Sequence, residues 1–185
     1  LASSAASDVY KRQGIVCTTS KIDKNNVIDY LNFPERIYPV GRLDKESTGL
    51  LLLTNNGQLM DDILRGSNYH EKEYIVHVNK PITDSVLQAM AQGVPILDTI
   101  TRPCKIRRMG KDCFYITLTQ GLNRQIRRMC EYFDYRVTSL KRIRIMNIEL
   151  GSLPVGKWRE LTTSEIKTLK NLAQNKAVSY THLTL

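Results

Sequence analysis

Apolar residues along this chain fall into short runs whose period changes often. Leu50–Leu53 is an unbroken apolar run, which predicts a strand with cover on both faces. Thr54-Asn55-Asn56-Gly57 follows with turn and N-cap chemistry, predicting a helix to about Arg65. Tyr74-Ile75-Val76-His77-Val78 alternates and is rich in β-formers, so it reads as a strand. Thr83 caps a predicted helix that gathers Val86, Leu87, Met90 and Ala91 on one face and stops at Gly93. Gly14–Thr19 predicts a short strand and Val27–Leu31 a brief helical turn.

From Val94 to Thr119 the pattern gives strand, basic turn, strand, with Cys113–Ile116 as the buried piece. Gly121 opens the next helix, where Leu122, Ile126, Met129, Cys130 and Phe133 form an apolar stripe. At about 100° per residue, Arg124, Arg127 and Arg128 fall on the side opposite that stripe. Strands are expected at Val137–Leu140 and Ile143–Leu150, and Thr162-x-x-Glu165 is a capping box for a last helix carrying Ile166, Leu169 and Ala173. Strands outnumber helices without regular alternation. The fold class is therefore α+β, a mainly antiparallel mixed sheet with flanking helices.

Length and charge narrow the picture. The chain has 185 residues, room for one domain with a real core. No apolar run exceeds four residues, whereas a membrane span needs about 20. The net charge of +9 is concentrated: Thr101 to Arg144 holds twelve basic and three acidic residues, so the remainder is close to neutral. A single basic segment is the footprint of a phosphate-backbone binder, with a solvated basic face as the plainer alternative. The cysteines at 17, 104, 113 and 130 follow no zinc-site spacing and read as small buried residues of a reducing cytoplasm. Residues 1–13 and 176–185 match nothing in the body and resemble translated adapter remnants, so the expected body is 14–175.

There is no glycine-rich phosphate loop, no metal-ligand spacing and no Ser/His/Asp set. Catalysis would rest on an Asp, some Arg and a Tyr. Asp44 stands between Arg42 and Lys45 just before the leucine strand. Burial and a neighbouring guanidinium act against each other there, a combination that leaves a carboxylate charged and poorly hydrated, able to serve as nucleophile or base. It could equally cap a turn or pair with Arg42. Arg124, Arg127 and Arg128 suit phosphates or one buried carboxylate, although Arg127 and Glu131 could form a surface i,i+4 pair. Tyr74 offers a ring on which a base can stack, worth roughly 1–3 kcal/mol, or else is simply core.

Gly41-Arg42-Leu43-Asp44 with Ser47-x-Gly49-Leu50, then Lys72-Glu73-Tyr74, then Gly121-Leu122-Asn123-Arg124-Gln125-Ile126-Arg127-Arg128-Met129 resembles the ordered motif set of the RNA pseudouridine synthases of the RsuA type. The likeness extends through Arg144-Ile145-Met146-Asn147 and Trp158-Arg159-Glu160-Leu161-Thr162 and covers essentially all of 14–175. It implies a pseudouridine synthase catalytic fold with a basic cleft, and a reaction that breaks the uridine C1′–N1 bond, turns the base and rejoins it through C5 without cofactor or metal. It makes Asp44 the catalytic carboxylate, with Tyr74 stacking on the flipped base and Arg127 paired to the Asp, Arg124 being the alternative holder. Leu140 becomes an apolar floor beneath the base, and Arg42, Leu43, Lys72, Arg124 and Arg128 become substrate-binding. It implies a cytoplasmic monomer acting on ribosomal RNA, with a tRNA stem-loop as the alternative substrate and a noncatalytic RNA-binding module as the alternative function. Two departures stand out: Lys11-Arg12-Gln13 lies where the family's N-K-P-x-G motif belongs, and the family's small N-terminal S4-like domain has no counterpart in these residues.

Overall fold

The computed structural model describes residues 6–11, 15, 17, 19–20, 22, 25–32, 36–65 and 69–179, with backbone alone at 6–10 and 175–179. In chain order the elements are β1 (Ala6–Lys11), α1 (Val27–Leu31), β2 (Tyr38–Val40), β3 (Thr48–Thr54), α2 (Gly57–Arg65), β4 (Lys72–Val78), α3 (Asp84–Gln92), β5 (Pro95–Ile96), β6 (Thr99–Ile100), β7 (Lys105–Arg108), β8 (Cys113–Leu118), α4 (Gln125–Tyr132), β9 (Val137–Ile145), β10 (Ile148–Glu149), β11 (Trp158–Glu160) and α5 (Thr163–Ser179). The main sheet runs β11-β1-β3-β9-β4-β8-β7, with β10 attached to β9 and β2 to β3, while β5 and β6 form a separate hairpin. Every pairing is antiparallel except that of β3 with β9, as the α+β reading requires.

The leucine run behaves as its pattern demands. Leu50 and Leu52 enter a core closed by Leu59 and Ile63 of α2 and Leu169 of α5, while Leu51 and Leu53 enter another with Val27 of α1, Ile37 and Leu43. A third core lies beneath α3 and α4, where Val76 and Val78 of β4 meet Met90, Phe114, Ile116 and Met129. The expected caps form: Leu59 N donates to Asn56 Oδ1 at 3.1 Å, Val86 N to Thr83 Oγ1 at 3.3 Å, and Thr162 and Glu165 exchange bonds of 3.0 and 3.1 Å.

Several boundaries differ from the sequence reading. Of the strand expected at 14–19, only Ile15, Cys17 and Thr19 are described, none of them in a strand, and the remainder lies outside the described residues. The expected basic turn near residue 105 is itself strand β7. The first strand expected after Val137 runs on to Ile145 as β9, because an irregularity opposite Glu73 and Tyr74 absorbs Ile143 without ending the ladder, and the rest of the second lies past a turn as β10, folded back on β9. Residues 6–11, expected in a tail, pair along β3 and β11, and α5 continues past residue 175. Backbone pairing asks little of side-chain identity, so the edge of a buried strand accepts an extended segment whatever its composition.

Among the described residues one parallel pairing joins the two halves of the sheet. It consists of Thr48↔Lys141 and Gly49↔Arg142, and it joins the half bearing Asp44 to the half bearing α4. Gly49 has φ +109, and a Cβ there would collide with the backbone of Arg142, so only glycine lets the strands approach this closely.

Candidate active site

Asp44 sits in the turn that leads into β3, where Ser47 N donates to its carbonyl at 3.0 Å. Leu43 beside it is buried in the core under α1, which pins the turn to the sheet. Lys11 adds a brace, its Nζ donating to Ser47 O at 2.7 Å and Lys45 O at 3.3 Å. The Asp44 carboxylate is thereby aimed at the start of α4. Its Oδ2 lies 3.4 Å from Arg127 Nε and 3.6 Å from Arg124 Nη1.

The two arginines arrive by different routes. The expected helix from Gly121 begins at Gln125, since Arg124 takes a left-handed conformation with φ +49 as the N-cap residue. Leu122 N is held instead by Gln125 Oε1 at 3.1 Å, so residues 121–124 form a turn that swings Arg124 over the cleft. There it reaches both Asp44 and Glu46, the latter at 3.3 Å. Arg127 is placed by the helix itself. The sequence pattern set it opposite the apolar stripe, on a face suited to phosphates or one buried carboxylate; its side chain is only 10% exposed, with Asp44 Oδ2 at 3.4 Å and Ser47 Oγ at 3.1 Å. Arg128 is not brought to the cleft: it folds back onto Asn123, bonding its carbonyl at 3.0 Å and its side chain at 3.1 Å.

Around Asp44 the fold encloses a cleft of about 430 Å³ whose walls include Arg42, Leu43, Lys72, Tyr74, Leu118, Arg124, Arg127, Leu140 and Arg142. All but Arg128 of the sequence-derived site residues thus border one cavity. Tyr74 packs against the cores on both sides of the sheet seam and presents its ring to the cavity. Leu140 is buried and supplies apolar surface. Burial, and after it the Arg142 guanidinium, pull the Lys72 ammonium down to about 8 from the usual lysine value.

Arg142 and Arg102 were missed by sequence reasoning. Arg142, almost wholly buried, donates from Nε to Leu50 O at 2.9 Å and from Nη1 to Arg42 O at 3.4 Å, tying the Asp44 turn to β9. A period of two from Leu140 along β9 would have placed it on the cleft face. Arg102 stacks over Tyr69 at 4.4 Å and donates to Thr119 O at 3.3 Å, which holds it at the cleft wall. Its signal was weak, because the residues around it have no periodicity.

Burial also raises the Cys104 thiol to about 11 and the Cys130 thiol to about 12, so neither is a nucleophile. Among the described residues, His77, Asp112 and Cys113 bring their donor atoms within 4.8 Å of one another, a trio that spacing along the chain did not reveal. It lies toward the far end of β4 from Lys72 and does not border the cleft. No helix among the described residues is long and apolar enough to cross a membrane.

A carboxylate held between two guanidiniums, facing a cavity with an aromatic wall and an aliphatic floor, can attack or deprotonate a flat ring inserted beside it. Likeness to known proteins bears on which ring. Residues 8–132 match the family model described as RNA pseudouridylate synthase. The chain is 53% identical over 167 residues to the dual-specificity RNA pseudouridine synthase RluF of Salmonella typhi, covering 90% of this chain and 58% of that protein. It is 34% identical over 176 residues to the ribosomal large subunit pseudouridine synthase B of Bacillus subtilis (strain 168), covering 90% of this chain and 72% of that protein. A crystal structure of a pseudouridylate synthase superposes with a TM-score of 0.82 at 31% identity, over 90% of this chain and 74% of the other.

Proposed function

Because this chain belongs to the RNA pseudouridylate synthase family, we propose that it converts a uridine of RNA to pseudouridine with Asp44 as the catalytic carboxylate. The observation that carries the reading is the placement of Asp44 between Arg127 and Arg124 at a cleft shared with Tyr74 and Leu140. A cavity near 430 Å³ falls within the range of small-ligand pockets, about 300–1,000 Å³. That is room for one unstacked nucleoside.

The target uridine leaves its stack at a cost of a few kcal/mol, and stacking on Tyr74 with contact to Leu140 offsets that cost. Arg127 fixes the direction of the carboxylate. Asp44 engages the nucleoside as the C1′–N1 bond breaks, the freed base turns between Tyr74 and Leu140, C5 bonds to C1′, the C5 hydrogen leaves to solvent as a proton, and the released N1 takes up a proton, so that the product is an isomer of the substrate. Lys72, Arg42 and Arg124 supply positive charge for the phosphates around the extruded nucleotide. This chemistry asks nothing of a metal or cofactor.

The chain spans 58% of the length of the RluF relatives, so the substrate is part of the proposal. We place it in ribosomal RNA of the large subunit, as the name of the Bacillus relative states for that protein, with a tRNA stem-loop as the second candidate. The test is tritium release from RNA carrying 5-tritiated uridine, with Asp44→Asn alongside. Release abolished in the variant while RNA binding persists supports catalysis. Tight RNA binding with no release from either chain supports the noncatalytic module instead.

A further inference from the structure

The basic segment from Thr101 to Arg144 does not gather in one place. Arg102, Arg124, Arg127 and Arg142 border the cleft. Others point elsewhere, and the register of the sheet fixes where. Directly paired residues share a face of a sheet. Arg107 pairs with Tyr115, Tyr115 with Ile75, and Ile75 with Lys141, making one row across β7, β8, β4 and β9. Their sequence neighbours Ile106, Ile116, Val76 and Leu140 belong to the core beneath α3 and α4. Alternation therefore turns Arg107, Tyr115, Ile75 and Lys141 to the reverse face, away from those helices.

On that face the Arg107 guanidinium lies 4.1 Å over the Tyr115 ring. One row nearer the cleft, Lys105 pairs with Thr117 and Thr117 with Glu73. Glu73 is answered by Arg144 at 3.3 Å, and Arg144 also reaches Glu71 at 3.2 Å. Lys105 has only a loose contact with Glu71, 3.5 Å long with its side chain 82% exposed, which a phosphate can replace. A half-buried tyrosine stacked with arginine and set among cations on an open sheet face is the chemistry that holds unpaired nucleotides by stacking and backbone charge. It is continuous with the site: Arg102 stands in the cleft, and Lys105 begins the edge strand three residues on.

We propose that the reverse face of the sheet, centred on Arg107, Tyr115 and Lys141, is a second RNA contact that takes a single-stranded segment leaving the cleft around the β7 edge. It rests on the reading of the cleft as an RNA site and adds a substrate requirement, unpaired nucleotides flanking the target stem-loop.

The experiment compares a stem-loop with the same stem-loop extended by about ten unpaired nucleotides, a length single-strand binders cover. Affinity is measured by anisotropy over a salt series for the native chain, Tyr115→Leu, Tyr115→Phe and the pair Arg107→Gln/Lys141→Gln. For the native chain the extension tightens binding roughly tenfold. Tyr115→Leu and the arginine–lysine pair lose that gain, Tyr115→Phe keeps it, and the pair lowers the log–log salt slope on extended RNA by about 1.4. Binding of the short stem-loop is unchanged throughout. An extension without effect, native-like gains in the variants, or equal losses on both RNAs overturn the proposal. Because the readout is binding, it stands apart from turnover: extension-dependent binding without isomerisation would remove only the catalytic reading.

Discussion

Replacing Arg127 by Gln tests the electrostatic core of the mechanism. At 3.4 Å between Arg127 Nε and Asp44 Oδ2, two unit charges attract by about 5 kcal/mol at an effective dielectric of 20. The side chains are 10% and 32% exposed, so the pair is neither open to solvent nor sealed from it. Exposed pairs are worth about 0–1 kcal/mol, and removing one partner of a buried pair costs about 3–5 kcal/mol. The expected loss therefore lies near 2–3 kcal/mol, the attraction less the desolvation already incurred. If the carboxylate must stay charged and aimed through the transition state, that is a drop of roughly 30- to 150-fold in the rate of tritium release. Arg124 lies farther from Asp44, at 3.6 Å, is 40% exposed and is shared with Glu46, so Arg124→Gln should cost less than about fivefold. Single-turnover release at saturating enzyme measures both, with RNA affinity determined separately. The reverse order, Arg127→Gln within threefold of native and Arg124→Gln nearly inactive, would refute the assignment of Arg127 as the holder of Asp44.

Lys72 titrates near 8 because burial disfavours its charged form, so RNA affinity should weaken as pH rises through that value and Lys72→Gln should flatten the profile. Its folded value lies below the unfolded 10.5, so the charged lysine burdens the fold below about pH 8 and urea stability should gain as pH rises from 8 to 10.5, a gain absent in Lys72→Met. Glu165 is held down near 2, first by its hydrogen bonds to Arg159; this stabilisation is present above about pH 4.5 and lost as pH falls toward 2. Glu165→Gln should accordingly lower the urea midpoint by about 1 kcal/mol equivalent at pH 7, with the difference from native closing across that acidic window. Gly49→Ala should cost more than about 3 kcal/mol in urea unfolding, because the new methyl meets the Arg142 backbone.

The parts of the fold with strong periodicity were legible. The doubly covered leucine strand, the β4 alternation and the caps at Asn56, Thr83 and Thr162 all follow from local chemistry. Asp44 was legible as an isolated carboxylate before a buried strand, and the motif resemblance gathered most of its neighbours. The helix pattern left Arg127 open to phosphates or one buried carboxylate, because periodicity counts arginine as polar and cannot see Asp44 delivered from a turn distant in sequence. Arg124 was assigned to a helix it only precedes, since a positive φ in a non-glycine residue leaves no mark in hydropathy. Arg107 was lost inside an expected turn and Tyr115 inside an expected buried strand, and only the register of β7 on β8 shows that they share a face.

The parallel contact of Thr48 and Gly49 with Lys141 and Arg142 limits how far Asp44 and Arg127 can be displaced from each other. Asp44 is anchored to one packing unit and Arg127 to another, so their separation is inherited from how the two halves line up along that pairing and the Arg142 ties beside it. Catalytic groups work within about 0.5 Å of their productive geometry. Slippage along that joint would take Asp44 out of line with Arg127, and a covalent staple across it would be the direct route to holding the two groups in place.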